Sequence, residues 1–500
     1  MIKYSSQTQI SIKEFKLPFG GQLSPENRWV TLARILPWDE MVSIYIRKMS
    51  RKMGRKAIDP RVAVGSLIIK HLKALSDDDT VEEIRENPYL QYFLGYCSYS
   101  YDPPFTSSLF VLMRRRLGEG QFNELSRQLA AYIDRSSKKP GKRKPRSDSG
   151  DPTSDGGRNE SEPLNKGHLV VDASVAPADI KYPTDLDLLN EIREKSELLI
   201  DQLHRPGSGR KKPRTYRRVA RRHYLGVSRS RRKTRKSIRK ALGKQLRYIS
   251  RNMKSIEKLL DECGSQSFPL SHTYQRLYWI IGEVYRQQRM MYENRSPQVS
   301  DRIVSVSQPH VRPIVRGKSG KEVEFGAKIS LSLVDGMSYL HRISWDAYNE
   351  SGDLKDQIET YHSQFGYYPQ WVSADKIYGT RENRSYMRSR NIRFTGVPLG
   401  RRRELTQEVR RVLKEHQRFN RQRSRIEGKF GEAKRKYDLG LVKAKKRDTS
   451  ESWIQMVVLV MNIAHLLRVI FLSFLKFIHL WLKKTEWMPF NRKSSVLQIG

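Results

Sequence analysis

Val323-Glu324-Phe325-Gly326-Ala327-Lys328-Ile329-Ser330-Leu331-Ser332-Leu333-Val334-Asp335-Gly336 is the stretch that decides the fold. Apolar side chains stand at alternate positions from Val323 to Leu333, the period of a strand. Asp335-Gly336 is a dipeptide suited to a two-residue hairpin turn, and Ser338 to Trp345 is the returning strand. Downstream, Leu354 to Phe365 reads as a helix, Gln370 to Asp375 as a strand ending in an acid, and Arg384 to Arg388 as a helix. Asn391 to Val397 is the next strand, followed by a long basic helix. Upstream, Gly167 to Val175 is a short buried-type strand carrying Asp172. An antiparallel hairpin with later strand–helix units predicts an α/β fold, a mixed sheet flanked by helices.

The chemistry-bearing residues follow from that frame. Asp172 and Asp375 sit at strand ends of one sheet, and Glu427 lies on the basic helix that must pack against it. Carboxylates far apart in sequence therefore converge. Three hard oxygen donors with open positions suit Mg²⁺, and a pair of such ions serves in-line displacement at a phosphate. Helical spacing places Arg423, Glu427 and Lys434 on one face, with the cations suited to phosphate oxygens. Glu432 falls well round that helix, and Asp335 is accounted for by the turn.

The 500 residues carry a formal net charge of +42, for which a polyanionic partner is the economical explanation. Between Arg205 and Lys258, 22 Lys and Arg face a single acid, Glu257, so half the net charge sits in this segment. Sparse apolar positions there fit a helical hairpin with one packed face. The rest of its surface, including Arg217, Arg218, Arg221, Arg222, Arg231 and Arg232, is expected to meet the phosphates of double-stranded DNA. Two cysteines, Cys97 and Cys263, lie outside any CxxC spacing, which argues for a reducing cytosol and against structural zinc.

Four regions are expected. Residues 1–135 form an all-helical N-terminal domain, with Asp59-Pro60 and Ser76 starting helices and Arg114-Arg115-Arg116 closing another. That pattern fits a helix-turn-helix DNA reader and a plain bundle alike. Residues 136–165 form a linker without apolar side chains over most of their length. Residues 166–482 form the α/β domain, with a basic helical insertion at about 184–300, and 483–500 a tail. The apolar run Trp453 to Leu482 carries Asn462, His465 and Arg468, then Ser473, Lys476 and His479 eleven residues on. One polar stripe on an apolar helix predicts a core helix rather than a membrane span.

Val171-Asp172-Ala173, Ala374-Asp375-Lys376-Ile377-Tyr378-Gly379 and Arg423-x3-Glu427-x6-Lys434 together resemble the signature blocks of bacterial insertion-sequence DDE transposases with an RNase H-like core. Gly54 to Pro60, Leu75 to Thr80, Asn87 to Leu90 and Phe93-Leu94-Gly95 are similar to the helical N-terminal domain of the same enzymes. The resemblance implies binding to terminal inverted repeats, end cleavage by metal-activated water, and joining of the freed 3′-OH to target DNA. It implies Asp172, Asp375 and Glu427 as the triad holding Mg²⁺ (two ions, with Mn²⁺ able to substitute). Arg423 and Lys434 become phosphate contacts. Where the family signature has Tyr, three residues before Arg423, this chain has Asn420. A homodimer at synapsis, no membrane, and a cytoplasmic, nucleoid-associated location follow by the same analogy. A simple metal-dependent nuclease or a non-catalytic DNA-binding protein is the alternative.

Overall fold

The computed structural model describes residues 9–47, 49, 57–117, 122, 124–129, 131, 165–204, 211–263, 268–315, 323–396 and 407–485. The linker up to residue 164, the tail from residue 486 and Gly54-Arg55-Lys56 lie outside the described residues.

Six strands form one mixed sheet: β1 (His168–Pro177), β2 (Arg312–Val315), β3 (Val323–Val334), β4 (Met337–Ser344), β5 (Trp371–Ser373) and β6 (Arg393–Phe394). The order is β2-β3-β1-β5-β6, and β4 also pairs with β3. The hairpin turns at Asp335 (φ 48°) and Gly336 (φ 88°), both left-handed, so the turn twists with its strands. β1 runs antiparallel to β3 with Asp172 opposite Leu331, and parallel to β5 with Val170 opposite Ser373. β6 extends the parallel half. Helices α11 (Leu354–Phe365) and α12 (Arg381–Ser389) supply the crossovers that parallel neighbours need. This is the RNase H-like α/β arrangement.

Between β1 and β2 the chain builds α7 (Asp185–Leu203), α8 (Arg217–Ser228), α9 (Arg235–Cys263) and α10 (His272–Asn294). These pack on a core of their own that includes Leu189, Ile192, Ile249, Ile256, Ile281 and Val284. Helix α8 buries only Ala220, which leaves its arginines at the surface.

The N-terminal helices are α1 (Arg28–Ile35), α2 (Trp38–Ile46), α3 (Pro60–Lys73), α4 (Asp77–Glu86), α5 (Pro88–Phe93) and α6 (Leu109–Arg116). Asp59 and Ser76 cap α3 and α4 as their sequences predict, each side chain accepting a backbone N–H. The basic end of α6 makes contacts within the chain: buried Arg114 forks onto Asp77 at 2.6 and 3.0 Å, Arg115 pairs with Asp448 at the surface, and Arg116 donates to Tyr45.

The last element is α15 (Arg447–Thr485), which crosses β4 and packs against α3 and α6. Sheet and N-terminal helices thereby share one hydrophobic core. Arg447–Leu472 is long and apolar enough to cross a membrane by length and composition, yet most of its apolar window is buried in this core. The polar stripe explains the register. Asn462, fully buried, accepts from Ser338 N–H at 2.8 Å and donates to Ser338 C=O and Ser126 Oγ. Arg468 reaches Glu432 at 2.7 Å. The side chains of Ser473, Lys476 and His479 lie outside the described residues.

Candidate active site

Two acids are placed by the sheet. Val170 and Ser373 share a rung of the parallel β1–β5 pair, and Asp172 and Asp375 each lie two residues past it. Asp172 accepts from the Ala173 N–H at 2.9 Å and Asp375 from the Lys376 N–H at 2.7 Å.

The third acid is delivered by a helix break. One long basic helix was expected. Instead α13 (Gln407–Gln422) and α14 (Ser424–Lys436) meet at Arg423. There the Arg423 N–H bonds to Asn420 C=O at 3.0 Å and the Ile426 N–H to Arg423 C=O at 3.1 Å, three-residue turns tighter than an α-helix. The break is tied to the sheet by His168, on the same strand face as Asp172. Its Nδ1 lies 2.9 Å from Gln422 Oε1 and its Nε2 2.7 Å from Ser373 Oγ. Ser373 Oγ also reaches the Phe419 carbonyl at 3.2 Å, and the Phe419 ring stacks on Trp371 at 4.5 Å. Sequence reading gave His168 and Ser373 no role; their positions two residues apart from Val170 and from Asp375 were the available signal.

Arg423 is the hub that results. Its Nη1 lies 3.3 Å from Glu427 Oε1 and 4.0 Å from Asp375 Oδ1, and its charge also acts on Asp172. Burial pushes the Asp172 carboxyl up to about 6. Glu350 and Asp375 push the same way, against the Ala173 N–H and Arg423. Glu350 is an unanticipated fourth acid beside this group, 3.0 Å from Lys328, with no local pattern to mark it. Tyr378, wholly buried, has its phenol pushed up by burial and then by Glu350 and Asp172.

The remaining anticipated residues are placed as follows. Lys434 is half-buried two turns along α14, and Asn420 is exposed at the end of α13. Arg218, Arg221, Arg222, Arg231 and Arg232 are exposed on the insertion. Arg217 is held by Asp201 and lies 3.6 Å from Glu197.

Among the described residues no three His, Cys, Asp or Glu side chains are close enough to ligate one ion. The donor set nonetheless suits a divalent cation. Asp375 and Glu427 share one guanidinium whose charge also reaches Asp172, and burial holds the Asp172 carboxyl up at about 6.

The fold is RNase H-like α/β, with Asp375 and Glu427 paired to one arginine beside the sheet. Residues 372–464 match the family described as a transposase DDE domain, a span that contains Asp375, Arg423, Glu427 and Lys434 but not Asp172. Residues 18–116 match the family described as a transposase domain (DUF772). A protein of Rhizobium meliloti described as uncharacterized protein ORF8 in the nfe locus is 28% identical over 164 residues, 33% of this chain and 68% of that protein. No solved structure matches the chain. The two domain matches, with this distant relative, support an insertion-sequence DDE transposase, and the DDE domain implies a nucleic-acid-processing enzyme.

Proposed function

We propose that this protein binds the terminal inverted repeats of its own element, cuts the DNA ends in a Mg²⁺-dependent reaction, and joins them to a target duplex. The observation carrying this reading is the pairing of Asp375 and Glu427 with Arg423, whose charge also reaches Asp172. Asp172, Asp375 and Glu427 would hold the divalent ions, which when bound supply Lewis acidity toward the scissile phosphate. Arg423 exchanges its carboxylate contacts for non-bridging phosphate oxygens, which a planar guanidinium grips in pairs. Lys434, on the same face of α14, takes a further phosphate oxygen as a point charge. His168 keeps the α13–α14 break docked, so that Glu427 stays aligned with the strand-borne acids. The exposed arginines of the insertion bind duplex backbone without reading sequence.

The test uses the full-length protein and labelled duplexes taken from the DNA flanking its own reading frame. Mg²⁺-dependent end cleavage and joining to a second duplex, both lost in Asp375→Asn with binding retained, are expected. Cleavage without joining points to a simple nuclease. Mobility of the flanking DNA unchanged in Asp375→Asn makes the protein a non-catalytic DNA binder.

A further inference from the structure

Glu427, Arg423 and Lys434 occupy one side of α14. On the opposite side, a cleft of about 560 Å³ opens between α14, the start of β1, the β3–β4 turn and α15. Arg425, Lys429 and Arg468 line it, against the carboxylates of Glu432 and Asp335. One carboxylate serves two of these cations. Glu432 is shared between Arg468 at 2.7 Å and Lys429 at 3.4 Å, and its longer contact leaves the buried Lys429 ammonium without a hydrogen bond among the described residues. Arg425 is exposed and has no ion-pair partner among the described residues. Burial, then Lys429 and Arg468, hold the imidazole of His465 on the rim below its usual pKa. Its ring is engaged by the Asp335 carbonyl at 3.2 Å.

Gly428 forms part of the lining, in the middle of α14. A Cβ there would meet no protein atom within 4 Å, so internal packing does not require glycine. A mid-helix glycine costs about 1 kcal/mol relative to alanine. What the missing side chain leaves open is the approach to the backbone between Arg425 and Lys429.

We infer that this cleft is a second phosphate-binding site, which takes the backbone of a DNA strand on the reverse face of the helix that carries Glu427. It rests on the reading of the protein as a DNA-handling enzyme and adds a contact remote from the carboxylates. A strand seated there uses the under-satisfied Lys429 and Arg425, and Gly428 lets a phosphate approach closely. With strands bound on both sides, α14 is clamped between them.

Binding of labelled duplex and single-stranded DNA to the full-length protein, in EDTA so that catalysis plays no part, tests this. Gly428→Ala adds little bulk and should bind within about twofold of wild type, whereas Gly428→Leu fills the cleft and should bind about tenfold more weakly. Lys429→Gln keeps the Arg468–Glu432 pair and should make the log–log salt dependence shallower by about one unit. Thermal unfolding of Lys429→Gln should match wild type, Gly428→Ala should be more stable by about 1 kcal/mol, and Lys429→Gln carries the test if the leucine variant does not fold. Wild-type affinity and salt slope in both Gly428→Leu and Lys429→Gln overturn the inference while leaving the proposed function standing. Failure of the wild-type protein to bind either DNA overturns both.

Discussion

Arg423 stands where three carboxylates would otherwise repel one another, and that position fixes what its removal should do. It is half-buried and its contacts lie at 3.3 and 4.0 Å, so Arg423→Gln should change unfolding free energy by no more than about 1 kcal/mol. End cleavage should fall about a hundredfold or more, because the lost charge faces the phosphate where negative charge develops. Cleavage at wild-type rate in this variant would mean that the guanidinium does not meet the scissile group. His168 acts differently, since it touches Gln422 and Ser373 and none of the acids directly. His168→Ala should cost about 1–3 kcal/mol in urea unfolding, as buried partners are left unsatisfied. It should also lower cleavage more than DNA affinity, because Glu427 depends on the docked break. Equal losses in both would reduce His168 to a general stability role.

Among the elements, the junction of α3, α4 and α6 with α15 rests on charge as much as on apolar packing. Asp77 holds Lys70 at 3.0 Å and Arg114 at 2.6 Å, and both cations lie over the Trp453 ring, at 5.1 and 5.6 Å. Burial alone would raise the Asp77 carboxyl, but Arg114 and Lys70 outweigh it and hold the group below its usual value. A carboxylate depressed in the folded state contributes stability above its unfolded pKa and loses it as pH falls through the folded one. Wild-type stability should therefore fall on acidification from about pH 4 downward. Asp77→Asn should be less stable at neutral pH by about 3–5 kcal/mol, because two buried cations lose their partner. It should also lack this part of the acid sensitivity, and matching pH–stability curves for variant and wild type would sink the assignment. The sequence disclosed the elements themselves: alternation marked β3, Asp335-Gly336 marked its turn, and Asp59 and Ser76 marked helix starts. Asp375, just past β5, was legible as a strand-end acid; Asp172 was expected at a strand end too, but β1 runs on to Pro177 in pairing with β3 and leaves it in mid-strand. The break at Arg423 was not legible, because helical spacing runs through it and its anchors, His168, Trp371 and Ser373, lie far upstream. Nor was the Asp77 network, whose tryptophan comes from the other end of the chain.

At the scale of the whole molecule the excess positive charge is unevenly tied down. Arg217 is held by Asp201 and approached by Glu197, and Arg193 is buried against Glu197, so these arginines build the insertion. Arg218, Arg221 and Arg222 on the same helix are exposed and have no ion-pair partner among the described residues. Two arginines adjacent in sequence thus have different duties. Neutralising Arg218, Arg221 and Arg222 together should leave unfolding nearly unchanged and weaken duplex binding. The logarithmic salt dependence should become shallower by up to about 0.9 per phosphate contact removed. Arg217→Gln should do the reverse, lowering the stability of the insertion, where Asp201 keeps only Lys212 among the described residues, and leaving the salt slope intact. Titrations at several salt concentrations, with unfolding followed in parallel, separate the two. If Arg217→Gln alone flattened the slope, the ion pairs at α8 would have to open when DNA binds. If the triple variant kept the wild-type slope, the duplex would have to lie against another face, and the charge of the insertion would serve some other anion.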